Sequence, residues 1–201
     1  FFVDLADFLA TAGDVQVQRG VWGLSGIGGA VDVTTRRAEL EPGFTLQLGA
    51  GSFATRRASV IFDSGLVDGR WAVTARASKL ASDGYRDQSW VEMWNTFLSL
   101  SRFGARSTLR INFFGGPEQT HLAYEGIARS VLDGGQSGDA DRDRRTNPIA
   151  YPGELDNFVQ PHFQVLHDFQ LGSATSLSQV FYAFRGDGSP GRPGRGDGPR
   201  R

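Results

Sequence analysis

From Phe44 to Phe184 the chain is written largely with a period of two. In FTLQLGAG, Phe44, Leu46 and Leu48 oppose Thr45 and Gln47, and in RRASVIF, Ala58, Val60 and Phe62 oppose Arg57, Ser59 and Ile61. RWAVTARAS sets Trp71, Val73, Ala75 and Ala77 against Thr74, Arg76 and Ser78. WNTFLSLSRF sets Leu98 and Leu100 against Ser99 and Ser101, and STLRINFF sets Leu109, Ile111 and Phe113 against Arg110 and Asn112. NFVQPHFQVLHDFQL alternates Val159, Phe163, Val165, Phe169 and Leu171 with Gln160, His162, Gln164 and Asp168, and SLSQVFYAF makes a seventh run. Successive side chains of a strand point to opposite faces, so each run is a strand with one apolar and one polar side. The fold class is therefore all-β.

The connections sort by length. LVDGR (66–70), RFGAR (102–106) and LGSAT (171–175) are tight turns, whereas SDGYRDQS (82–89) is longer and 119–156 is longest. A soluble sandwich has no reason for such sorting. An outer-membrane barrel has short turns at one end and long loops at the other, and its tilted spans need ~9–11 residues. Arg57, Arg76 and Arg110 on the polar faces suit a water-filled lumen. A transmembrane antiparallel barrel is the reading these features favour, and a soluble all-β protein is the alternative. On that reading Leu109, Ile111 and Phe113 face lipid, so Arg at Ile111 should cost ~2–4 kcal/mol if it lies near the bilayer midplane, and Arg at Asn112 should be nearly silent for stability.

Composition removes other classes. No run of 18 apolar residues could form a membrane helix, and no charged-then-apolar leader opens the chain. FFVDLADF reads as the middle of a longer sequence, and residues 3–12 have weak helical spacing. With no cysteine there are no disulfides or cysteine metal sites. Acidic residues outnumber basic ones before Arg185, so a nucleic-acid partner is not expected.

Ahead of the barrel-like region, Val15–Arg37 pairs two alternating stretches, VQVQRG and AVDVTT, around Gly20, Gly23, Gly26, Gly28 and Gly29. This pattern resembles the end of the plug domain in TonB-dependent outer-membrane receptors, where V-x-V-x-R-G and a glycine-rich turn lead to G-G-x-I-N-V-x-T. Here Asp32 replaces the usual Asn. GSFATRRASVIFDSGL resembles the hairpin that opens the barrel, and SKLASDGYRDQS the S-D-G-Y-x-D loop of siderophore-type, Bacteroidetes-like members. GPEQTHLAYEGI, RRTNPIAYPGELDN and NFVQPHFQ follow in the family's order.

The resemblance implies a partial transmembrane β-barrel preceded by the C-terminal part of a plug. Residues 1–37 would end the plug, 38–184 would supply about seven barrel strands, and 185–201 would be a disordered tail. That tail, built from Gly, Pro, Arg, Asp and Ser, lacks the large apolar residues of a strand and is expected to be a reading-frame artefact. Its Arg-Gly-Asp triplets at 185–187 and 195–197 read as chance. The implied function is binding and gated uptake of a scarce solute such as a ferric siderophore, without catalysis. The partners would be TonB, through a segment upstream of Phe1, and outer-membrane lipid. A passive porin-like or adhesin-like barrel and a soluble carbohydrate-binding β-sandwich remain as alternatives.

No catalytic constellation is found, and no cofactor is expected. The glycines at 20–29 lack the dinucleotide spacing and a following helix. GLSGI lacks the second glycine of a nucleophile elbow. Asp139, Asp141 and Asp143 imitate the start of a calcium loop, but Arg144 and Ala150 stand where that loop needs Gly and Glu. His162 and His167 are an odd number of residues apart and face opposite sides of a strand. The candidate contacts are Tyr85 and Tyr124, either lining a ligand vestibule or belonging to the interfacial aromatic girdle, and Arg19, pairing with the inner barrel wall. Trp71 and Trp90 are the stronger girdle candidates.

Overall fold

The computed structural model describes residues 12–18 and 30–190, with side chains over 35–188. Strands β1 (Ala12–Gln18) and β2 (Ala30–Thr35) form an antiparallel pair of their own. The main sheet holds β3 (Pro42–Ala50), β4 (Arg56–Ser64), β5 (Trp71–Ser82), β6 (Val91–Phe103), β7 (Ser107–Gly115), β8 (Pro117–His121), β9 (Leu155–Val159), β10 (His162–Gln170), β11 (Ser176–Phe184) and β12 (Asp187–Pro190). Two four-residue helices, α1 (Arg129–Leu132) and α2 (Ala140–Asp143), lie in the long connection between β8 and β9. The main path runs β11-β10-β7-β6-β5-β4-β3, with every pairing antiparallel and β8, β9 and β12 continuing it. This is the up-and-down open sheet expected of part of a barrel. The turns suit it: Asp68 and Gly69 both take positive φ in the β4–β5 hairpin, a combination that Asp-Gly favours.

Ten strand pieces make seven spans. The β6–β7 pairing ends at Thr96↔Gly115 and the β6–β8 pairing resumes at Met93↔Glu118 in the same register. The β7–β10 register likewise continues into β8–β9, and β10–β11 into β9–β12. The breaks at 116, 160–161 and 185–186 thus fall on one line across three neighbouring spans. Pro161 has no N–H to donate. Gly115 has φ 135°, and a Cβ on Gly116 would lie 1.8 Å from Trp94 O. Gly116→Ala is therefore expected to cost about 1–3 kcal/mol by overpacking against backbone, read as a lowered unfolding midpoint.

Two sequence expectations are corrected here. The run 157–171 is not one uninterrupted strand, because Pro161 separates β9 from β10. Nor does strand structure stop at Phe184: Asp187–Pro190 pair with Val159–Asp156. Ladder hydrogen bonds need backbone, not large side chains, and the exposed edge of β9 offers them. Residues 191–201, the glycine turn at 20–29 and the helical spacing over 3–11 lie outside the described residues. Ala12 opens β1.

The two faces of the sheet are inverted relative to a soluble protein. One face is buried and polar: Ser59, Asp63, Thr74, Arg76, Ser78, Asn95, Ser99, Ser101 and Asn112. Its groups satisfy one another in part, Thr74 Oγ1 donating to Asp63 Oδ1 at 2.7 Å and Arg76 Nε to Ser59 Oγ at 3.0 Å. One cross-strand row on this face runs Ile61, Arg76, Phe97, Phe114, His162, Phe184, with the His162 ring stacked on Phe114 at 4.7 Å. The other face is exposed and apolar. Its central row runs Phe44, Phe62, Ala75, Leu98, Phe113, Phe163, and Leu98 and Phe113 are 46% and 43% exposed.

This apolar band is bounded on both sides. At the short-turn end, Arg102 lies over the Trp71 ring at 5.8 Å. At the long-loop end, Lys79 lies over the Trp94 ring at 4.7 Å and pairs with Glu92 at 2.5 Å. The span from Trp71 to Lys79 along β5 is ~26 Å of strand, or ~20 Å of height at a ~40° tilt, near the height of a membrane band. Trp71 takes the edge position expected for it. At the other edge the outward aromatic in register is Trp94, while Trp90 is half-buried and its carbonyl accepts from His121 N at 3.0 Å.

The surroundings of Asn112 argue against indifference to Arg at this position. It is fully buried, and its Nδ2 donates at 3.3 Å both to Gln164 Oε1 and to Thr35 Oγ1 at the end of β2. That contact places the end of the β1–β2 hairpin against the polar face.

Candidate functional site

The long-loop end carries the most organised polar structure outside the sheet. Residues 83–90, between β5 and β6, and 122–154, between β8 and β9, are tied together by a few side chains. Arg86 is the main tie: its Nε donates to Thr146 O at 3.0 Å, and its Nη1 to Ala123 O and Glu125 O, each at 2.7 Å. A guanidinium carries several donors in a fixed fork, which lets one side chain hold three carbonyls. Asn147 Nδ2 donates to Leu122 O at 3.0 Å and Gln88 O at 3.4 Å, while its Oδ1 accepts from Ile149 N at 3.1 Å. Asp87 N donates to Arg145 O at 2.7 Å, and their side chains pair at 3.5 Å. His121 bridges the base of the long loop, its Nδ1 against Leu122 O at 3.1 Å and its Nε2 against Tyr151 O at 2.9 Å.

Asp143 closes a smaller ring within the long loop. It is buried, accepts from Gln136 N and Ser137 N at 2.9 Å each, and takes the Ser137 hydroxyl at 2.5 Å. The Ser137 hydroxyl and amide, helped by Gln136 N, hold this carboxyl below the usual carboxylate range. A depressed carboxyl stabilises the fold above its unfolded pKa and loses that contribution as pH falls through the folded value. The 136–143 ring should therefore stay closed near neutral pH and open in acid. Amide exchange at Gln136 and Ser137, compared at about pH 6 and about pH 3, reads this opening, and Asp143→Asn should largely remove the pH dependence.

Between the two loops lies a cleft of about 480 Å³, lined by Asp87, Gln88, Gln136, Ser137, Arg142, Asp143, Thr146, Asn147, Ile149 and Ala150. The lining is mostly hydrogen-bonding groups, suited to a polar ligand. Of the acids that imitate a calcium loop, Asp139 caps α2 by accepting from Asp141 N and Arg142 N, and Asp143 is committed to the ring just described. No cluster of three metal-ligating residues occurs among the described residues.

The two tyrosines named from sequence both lie in these loops. Tyr85 packs edge-to-face on Phe53 of the β3–β4 hairpin, with centroids 5.5 Å apart. Tyr124 is 76% exposed and sits between the two carbonyls that Arg86 holds. Neither lines the cleft. Arg19 lies outside the described residues. Arg86 and Asn147, the residues that organise the loops, were present in SDGYRDQS and RRTNPIAYPGELDN without being singled out. The Asn-Pro pair at 147–148 was the available turn signal.

These features define an open antiparallel sheet of membrane-barrel type, with an apolar outside, a polar inside and loops gathered at one end. No family model and no curated protein matches the sequence. Among solved structures the fold is similar to that of the ferric-catecholate import receptor Fiu from E. coli K12. Against the open form the TM-score is 0.73 at 15% identity, covering 90% of this chain and 29% of that one. Against the closed form it is 0.69 at 14% identity, covering 89% and 27%. The chain spans less than a third of the length of those receptors, and the likeness is one of fold.

Proposed function

We propose that the chain is part of a TonB-dependent outer-membrane receptor of a Gram-negative bacterium that takes up a ferric siderophore. The observation that carries this reading is the inverted sheet: a continuous exposed apolar face bounded by Trp71 and Trp94 at its two edges, backed by a buried polar face. A soluble protein rarely leaves such a patch open, whereas a barrel wall needs it. The sequence motifs and the fold shared with a ferric-catecholate import receptor support the receptor class. On this reading, residues 1–37 end the plug, and Thr35 against Asn112 is where the plug meets the wall. Arg19 would add a second contact there. The knitted loops form the outer vestibule, with Tyr85 and Tyr124 as solute contacts.

The test has two parts. The protein should fractionate with outer membranes and resist carbonate extraction. Cells lacking it should lose uptake of a ferric siderophore under iron limitation, with recovery dependent on TonB. Recovery in the soluble periplasm would end the barrel reading. Outer-membrane location with uptake independent of TonB would favour a passive pore.

A further inference from the structure

The apolar band is bounded by two cations lying over tryptophan rings, and only one of them is neutralised. At the long-loop edge Lys79 is paired with Glu92. At the short-turn edge Arg102 lies over the Trp71 ring and has no carboxylate partner among the described residues. A guanidinium stacked on a ring uses its face, so the planar fork of N–H donors along its edge stays open to an oxyanion. The outward row through this pair runs Trp71, Arg102, Leu109, His167, Gln179, and the next outward row runs Val73, Leu100, Ile111, Val165, Phe181. A row with a free cation and no carboxylate thus borders one that is wholly apolar.

The turns beside this row add to its charge. Arg70 and Arg106, both exposed, lie in the β4–β5 and β6–β7 turns. Arg106 donates from Nε to Gln170 O at 3.1 Å and from Nη2 to Leu171 O at 2.7 Å. These bonds pin its turn to the β10–β11 turn and leave Nη1 uncommitted. Against the three arginines the same two turns hold one acid, Asp68. Asp168, near the same edge, alternates onto the polar face and takes the Ser178 hydroxyl at 2.6 Å.

We propose that this rim is a site for phosphatidylglycerol in the periplasmic leaflet, the leaflet that the short turns of such a barrel adjoin. The assignment rests on the membrane-barrel reading given above. The edge of the Arg102 guanidinium takes the phosphodiester through charge-assisted N–H donation, and Arg106 adds a second cation at the same edge. The acyl chains follow Val73, Leu100 and Ile111. An ethanolamine or choline headgroup would bring its own cation beside three arginines and a single aspartate, so the zwitterions are disfavoured.

The experiment uses the protein purified from outer membranes in a mild detergent and stripped of lipid. It is offered equal amounts of phosphatidylglycerol, phosphatidylethanolamine and phosphatidylcholine, with the retained lipid read by native mass spectrometry. Phosphatidylglycerol should be retained over the other two by about fivefold, the scale of one arginine beside an anionic headgroup. R102Q should bring the three to parity, R102K should keep a reduced preference, and K79Q at the opposite edge should change nothing. All three variants should show unchanged heat-modified gel mobility. Parity of the three lipids in the unmodified protein would overturn the site while leaving the lipid-facing band intact. A preference unchanged in R102Q would also overturn it, as would retention of lipopolysaccharide that R102Q abolishes, because that would put this edge in the other leaflet. Retention of no lipid at all would count against both the site and the membrane-barrel reading.

Discussion

Arginine placed at Phe113 is expected to cost about 2–4 kcal/mol, at Ile111 somewhat less, and at Leu109 about 0–1 kcal/mol. All three residues point to the same face of β7, and they differ in depth. Phe113 shares the central row with Leu98 and Phe163, whereas Leu109 pairs with Arg102 in the row of Trp71. A charge at mid-band must be drawn out of hydrocarbon, while one at the rim reaches headgroups and water. If this face were in water, the expectation would invert: a side chain as exposed as Phe113 should tolerate Arg within about 0.5 kcal/mol. Reversible unfolding of the three variants from lipid vesicles measures the gradient. Equal small costs at all three positions would remove the membrane from the account.

Arg86→Ala is expected to release the long loop while leaving the sheet intact. The change removes donors from Thr146 O, Ala123 O and Glu125 O together. Each is a hydrogen bond from a charged group, worth about 1.5–3 kcal/mol. Allowing for water replacing some of them, local opening should become easier by about 3–5 kcal/mol. Arg86→Lys should rescue little, because a single ammonium cannot span three carbonyls set by a planar fork. Amide exchange should rise across 122–154 and stay unchanged in β5 and β6, and a protease should cut first within that loop. If Tyr124 contacts solute, affinity falls in this variant without loss of folded protein. Unchanged exchange in the loop would show that Asn147 and His121 suffice to hold it.

The legibility of the sequence followed the range of the interactions. Alternation at Leu109, Ile111 and Phe113, or at Val73, Ala75 and Ala77, is local, and the register of the sheet reproduces it residue by residue. Pro161 announces a strand break, but its alignment with Gly116 and Arg185–Gly186 depends on pairing across three spans, which no single segment encodes. The pairing of Asp187–Pro190 was hidden for the same reason: its partners lie about 30 residues earlier and supply backbone only. The girdle position passed from Trp90 to Trp94 because Trp90 lies just before β6, half-buried with its carbonyl held by His121 N, whereas Trp94 stands within the strand opposite Lys79. Asn112 was read correctly as inward. Its expected indifference came into question only once Thr35 and Gln164 were found against it. The site was less legible than the fold. Arg86 resembles any loop arginine until its carbonyl partners, 37 to 60 residues away, are in place.

The central claim is that one face of this sheet contacts lipid and the other does not. The chain has no native cysteine, so single cysteines at positions 109 to 114 can each carry a spin label without background. In membranes, collision with dissolved oxygen should be high at 109, 111 and 113 and low at 110, 112 and 114, with collision by a water-soluble nickel chelate low at 111 and 113. A period-two pattern of this kind, with its oxygen maximum at 113, is the predicted result. High chelate accessibility at 111 and 113, the profile of a face in water, would contradict it.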